Sequence, residues 1–143
     1  GMLSRLGAER FGLRRSIRPR EPARVDAMIA IIFEVEPAPG REHDYLAIAA
    51  TMRSELERQP GFIAVERFRS ITNPAKLLSL SFWEDEEAVR NWRCHGGHRG
   101  AQKSGREGVF AGYRLRVAGV IRDYGMTERR DQAPADSNAH WGL

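Results

Sequence analysis

Trp92, Cys94, His95 and His98 place an indole, a thiol and two imidazoles within one stretch of seven residues. His98 follows Trp92 by six positions and can exchange a proton with a phenol or enol, because an unperturbed imidazole titrates near ~6.5. Beside Arg99 and close to Lys103, it reads equally as an exposed surface histidine. Trp92 falls on the inward face of a helix, as ordinary core packing or as a flat wall against a planar substrate. Cys94, His95 and His98 invite a metal reading that their spacing disfavours. Adjacent helical residues point about 100° apart, and no third and fourth ligand follow at a standard interval. No metal site is expected.

Two further aromatic residues stand where they can line a cavity. Phe33 lies on the first apolar segment and Tyr113 opens the last one; the phenol can also donate a hydrogen bond to a substrate oxygen. The competing reading for both is sheet core. Arg67 and Arg69 point away from Glu66 and Phe68 and read as dimer-rim or solvent charges rather than anion binders. The glycines Gly96, Gly97, Gly100, Gly105 and Gly108 make no phosphate loop, since no strand precedes them and no Gly-Lys-Ser/Thr follows.

The elements that must position these residues follow from periodicity. Residues 28–36 are apolar on both faces until Glu34 and Glu36, the mark of a strand buried on two sides. Pro37-Ala38-Pro39-Gly40 breaks it. Tyr45, Ile48, Ala49, Met52 and Leu56 share one face of a helix over 41–58, with Glu42 and Asp44 in the first turn, where the helix dipole favours acids. Pro60-Gly61 ends it. Strands over 62–72 and 76–84 flank Asn73-Pro74-Ala75 and so form a hairpin. Asp85 caps a second helix that turns Ala88, Val89 and Trp92 inward and breaks near Gly96, with a helical turn around Val109-Phe110. The last strand spans 113–123, Tyr113, Leu115, Val117 and Ile121 alternating against Arg114, Arg116 and Arg122.

This order, β-α-β-β-α-β, predicts an α+β, ferredoxin-like antiparallel sheet with its helices on one face. If Ile29, Ile31, Phe33 and Val35 face the helices, Ala30 and Ile32 lie on a bare side. Each large apolar side chain left in water forgoes about 1.5–3 kcal/mol. A second copy packed sheet to sheet, a homodimeric α+β barrel, is the economical cover.

Charge separates the ends from the middle. Residues 1–27 hold seven arginines against three acids, a surplus equal to the +4 of the whole chain. The domain at 28–124 and the polar tail at 125–143 are therefore balanced together, which speaks against a nucleic-acid partner. The arm reads as a flexible basic extension. Gly1 before Met2 reads as an expression-tag remnant, and Met28 is a second candidate start. Arg14-Arg15 is followed by Ser16-Ile17-Arg18-Pro19-Arg20 rather than by the apolar run of an export signal. No segment approaches the roughly 20 apolar residues of a membrane span. A lone cysteine fits a reducing compartment, so the expected location is cytoplasmic.

Pro60-Gly61-Phe62, Val65-Glu66-Arg67-Phe68, Lys76-Leu77-Leu78-Ser79-Leu80, Phe82-Trp83-Glu84, Glu86-Glu87-Ala88 and Trp92, on these elements, resemble the antibiotic biosynthesis monooxygenase family over about residues 28–124. The resemblance implies small homodimers with a cavity between helices and sheet. Some members oxygenate aromatic polyketides without metal or organic cofactor, others open haem, and others have no assigned substrate. The haem-opening branch uses an asparagine on the first strand, a tryptophan on the second helix and a histidine ten residues later. Here the tryptophan is Trp92, but the other positions are Phe33 and Gln102, so haem opening by that route is not expected. The resemblance points to a cofactor-independent monooxygenase acting on a planar aromatic or polyketide-like molecule, with His98 as base, Trp92 as stacking wall, and Phe33 and Tyr113 holding the substrate. The alternative is a non-catalytic small-molecule-binding or stress-response dimer of the same fold.

Overall fold

The computed structural model describes residues 27–137, except for the side chains of residues 97, 98, 101 and 104–106. The basic arm and the last residues of the tail lie outside that range. Strand β1, Ile29–Pro37, leads to helix α1, Glu42–Glu57, and to the hairpin of β2, Phe62–Arg69, with β3, Leu77–Trp83. Helices α2, Glu86–Arg93, and α3, Gly96–Ser104, then precede a single wide turn, Gly105–Val109, and strand β4, Phe110–Gly119. The strands lie in the order β2-β3-β1-β4 with every neighbouring pair antiparallel. The α+β ferredoxin-like architecture is as expected.

Local chemistry explains where the elements start and stop. The Asp85 carboxylate accepts from the Ala88 amide at 2.9 Å and so caps α2. Gly61, at φ +83°, turns the chain out of α1 into β2, and its carbonyl accepts from the Glu84 amide at 2.8 Å. In the hairpin turn, the Lys76 amide donates to the Asn73 carbonyl at 2.9 Å. The expected break in the second helix falls at Cys94–His95, so the chain carries three helices rather than two.

The inner face of β1 is Ile29, Ile31, Phe33 and Val35, as alternation requires, and two clusters build the core on it. One gathers Ile29, Leu56, Trp83, Ala88, Val89 and Trp92; the other gathers Val35, Tyr45, Leu77 and Val109. Each joins α1 to opposite ends of the sheet.

The last strand departs from expectation at both ends. It starts at Phe110 and stops at Gly119 because β1 sets its length: Pro37 pairs with Phe110 and Ile29 with Gly119. Beyond that register the partner strand has ended, and Ile121, read from alternation as inward, is 81% exposed. The stretch after Gly125 is not wholly loose. It carries a 3-10 turn, Arg130–Gln132, with Arg130 donating to the Gly125 carbonyl and Gln132 accepting from the Asp123 amide. No described helix is long and apolar enough to cross a membrane.

Candidate functional site

The strand register arranges the helix-facing side of the sheet in rows. Arg69, Leu77, Val35 and Tyr113 form one, crossing from β2 to β4. Arg67, Ser79, Phe33 and Leu115 form the next; then come Val65, Ser81, Ile31 and Val117. Large residues fill the first row and the Trp83 end. The middle of β3 offers only two serines. Its outward residues, Leu78, Leu80 and Phe82, are all large and apolar, so β3 is greasier on its outer face than on its inner one.

The helices cover the inner face unevenly. Tyr113, Leu115 and Val117 point to the helix side, yet they are 67%, 50% and 48% exposed. The helical layer thus stops short of β4 and leaves a trough along that strand. Phe33 and Tyr113 come together at its edge, ring centroids 5.6 Å apart, and Phe110 lies 6.0 Å from Phe33 and 6.1 Å from Tyr113. Tyr45 of α1 backs Phe110 at 5.8 Å.

Trp92 sits in the other cluster, 7% exposed, stacked on Trp83 at 6.5 Å and on His95 at 5.2 Å. Its surroundings are those of a core residue. The His98 side chain lies outside the described residues; its backbone belongs to α3, which connects the Trp92 end of the fold to the Phe110 end. Cys94 is exposed. Among the described residues, no three of His, Cys, Asp and Glu gather as a metal site requires.

Several residues of interest escape motif reading. His95 presents Nε2 at 3.9 Å from a Glu55 carboxylate oxygen while stacking on Trp92. The Ser79 and Ser81 positions were legible as an inverted alternation in Leu77–Trp83; the Ser81 hydroxyl accepts from the Trp83 indole at 3.0 Å. Arg67 and Arg69 are not charges of a dimer-facing rim, though Arg69 is half exposed to solvent. Both rise on the helix side, because a register shift between Phe62 and Ala64 sets Val65, Arg67 and Arg69 inward. Arg69 holds both oxygens of Glu42, at 3.0 and 2.6 Å. The Arg69 hydrogen bond, with its charge, keeps the Glu42 carboxyl below its ordinary range against the opposing effect of burial, and raises Arg69 in turn. On the outer face, Glu34 is also held below its ordinary range, first by the Lys76 hydrogen bond, with Arg116 adding to it and burial opposing.

The antibiotic biosynthesis monooxygenase family model matches residues 28–104, which is β1 through α3. The chain belongs to this family. A relative from Pyricularia oryzae (strain 70-15), named jasmonate monooxygenase ABM, is 45% identical over 93 residues, 65% of this chain. The chain spans only 43% of that protein's length. A Bacillus subtilis (strain 168) protein, the uncharacterized YqjZ, is 35% identical over 78 residues, covering 54% of this chain and 67% of its own. Among solved structures, SnoaB, a cofactor-independent oxygenase from Streptomyces nogalater, superposes with a TM-score of 0.61, covering 71% of this chain and 99% of that one. At 14% identity that likeness is one of fold.

Proposed function

We propose that this member of the antibiotic biosynthesis monooxygenase family is a cofactor-independent monooxygenase, and that its substrate lies in the trough between the helices and the inner face of β4. The observation that carries the reading is the exposure of Tyr113, Leu115 and Val117 on the side of the sheet that ordinarily packs as core, beside the Phe33–Phe110–Tyr113 ring cluster. Such a surface suits a flat or cyclic apolar body, and the Tyr113 hydroxyl supplies a donor. A planar aromatic or polyketide-like molecule fits this description. So does the jasmonate in the name of the Pyricularia oryzae relative.

The chemistry asks little of the protein. A base takes a proton from an acidic C–H or O–H, and the electron-rich anion passes an electron to O₂. The radical pair joins, and the peroxide collapses. For an anthrone, the ring CH₂ becomes C=O and the second oxygen leaves as water, with no outside reductant. The chain contributes the base, orientation and a dry apolar wall. His98 is the base in this reading, carried on α3; Trp92 supports the same helix break through its stack on His95. The second copy that the sheet's outer face calls for completes the functional unit, a homodimer.

Oxygen uptake with an anthrone tests the proposal in wild type, His98→Ala and Tyr113→Ala. Loss of a general base lowers turnover by about 100-fold or more, and loss of the Tyr113 ring acts mainly on KM. Uptake indifferent to both substitutions removes the assignments. A ligand that raises Tm yet undergoes no turnover in air marks a binding protein instead.

A further inference from the structure

Arg67 stands apart from the other inward charge on its strand. Arg69, two residues on, is paired with Glu42, whereas Arg67, partly exposed as a residue, has its Nε buried with no hydrogen-bond partner, and no ion pair to Arg67 is present among the described residues. Leaving a buried N–H of a guanidinium unpartnered is costly. A lysine in this position escapes by giving up its proton; a guanidinium cannot. Such a group persists where a ligand supplies the missing acceptor.

The row that holds Arg67 shows where that acceptor sits. Arg67 pairs with Ser79, Ser79 with Phe33, and Phe33 with Leu115. Only a serine separates the guanidinium's strand from the ring cluster, so no tall side chain of the sheet stands between them. Two strand spacings carry the row from Arg67 to Phe33, about 10 Å between backbones. Resting on the reading that the substrate lies on this inner face, we propose that Arg67 is its anion-holding group. It takes the carboxylate of a small acid side-on through Nε and one terminal nitrogen, while the apolar body of the same molecule covers Phe33 and Tyr113. The Ser79 hydroxyl is the nearest additional donor along the row. The site then selects monocarboxylates with a ring some atoms away from the acid, and a neutral ester of the same shape lacks the anion the guanidinium requires.

The test compares jasmonate with methyl jasmonate, by titration calorimetry and thermal shift without turnover, on wild type, Arg67→Met and Arg67→Lys. Wild type binds the acid about tenfold or more tightly than the ester, the scale of a charge-assisted pair. Arg67→Met erases that preference while holding ester affinity within about twofold, and the ligand-free Tm does not fall, since an unpartnered buried N–H has been removed. Arg67→Lys restores part of the preference, because a point charge lacks the fork. A merely structural Arg67 predicts the reverse: equal losses for acid and ester and a lower Tm. That outcome, equal binding of the two by wild type, or no binding of the acid, overturns the proposal. Oxygen uptake with neutral anthrone separates the two readings. Its absence with the acid preference intact removes the oxygenase but keeps Arg67 as the anion group; its presence, with acid and ester alike, does the opposite.

Discussion

Gly61 shows at the scale of one residue how closely the helices sit on the sheet. It ends the turn between α1 and β2 at φ +83°, where side chains with a Cβ are strained. A Cβ built on it would also lie 2.6 Å from the Ala88 Cβ of α2, closer than carbon atoms pack. Both effects act on Gly61→Ala. The left-handed backbone costs about 1 kcal/mol or more, and the overlap adds about 1–3 kcal/mol because α2 must shift outward. Denaturant unfolding should therefore show a midpoint well below wild type with an unchanged m-value. Adding Ala88→Gly removes the overlap alone, so the double variant should recover part of the loss. A Gly61→Ala midpoint equal to that of wild type contradicts this account. Residue types alone located Gly61 as a helix stop, but the nearness of Ala88 depends on tertiary packing. The same limit applies to the site. Phe33 and Tyr113 were readable as a pair because both have inward parity, whereas the unpartnered Nε of Arg67 is a property of the packed fold that no residue pattern announces.

Between elements, two carboxylates with lowered pKa tie neighbours together, one across the layers and one within the sheet. Glu42 ties α1 to β2 through Arg69, and Glu34 of β1 reaches Lys76 beside β3 and Arg116 of β4. In the folded chain both carboxyls are held below the ordinary glutamate value of about 4.3. A depressed folded pKa means the unfolded chain takes up protons first as pH falls. The stability these groups contribute is therefore complete above about pH 5 and declines as pH passes down through their folded values. The difference in urea midpoint between wild type and Glu42→Gln should be constant from about pH 5 to 7 and close toward zero in acid. Salt should shrink it, since the pair is half exposed. A difference that grows on acidification contradicts the sign argued here. Element identity itself was legible from periodicity: Tyr45, Ala49 and Leu56 of α1 are buried, as are Ala88, Val89 and Trp92 of α2. Strand ends were less so. The alternation of β4 continues to Ile121, but backbone pairing stops with β1, and a strand's own sequence carries no record of its partner's length.

For the whole molecule, the question is what covers the outer face of the sheet. Ala30 and Ile32 alone made the sequence argument for a second copy; the register adds Leu78, Leu80 and Phe82 of β3, with Phe68 of β2 and Ala118 of β4 at the same level. Four of these are large and apolar at the centre of a sheet whose helices α1 and α2 pack on the other side. Charges flank this centre on the edge strands: Glu66 stands beside Leu80 and Arg116 beside Ile32, and Arg116 pairs with Glu34 at 2.9 Å. A self-complementary apolar centre with a paired, polar margin is the composition of a two-fold interface. A leucine buried there is worth about 1.5–3 kcal/mol, and symmetry counts every such residue twice. Leu80→Asp tests this where it is least confounded, because Leu80 points away from both core clusters. Light scattering at micromolar concentration should give twice the chain mass of 16.2 kDa for wild type and the single-chain value for the variant, with the far-ultraviolet circular dichroism of the two alike. Because the dimer contributes to stability by mass action, the wild-type Tm should rise with protein concentration, and that of the variant should not. A wild-type chain that scatters as a monomer with a concentration-independent Tm would leave Leu78, Leu80 and Phe82 facing water, and with them the physical reason for this sheet to have two apolar sides.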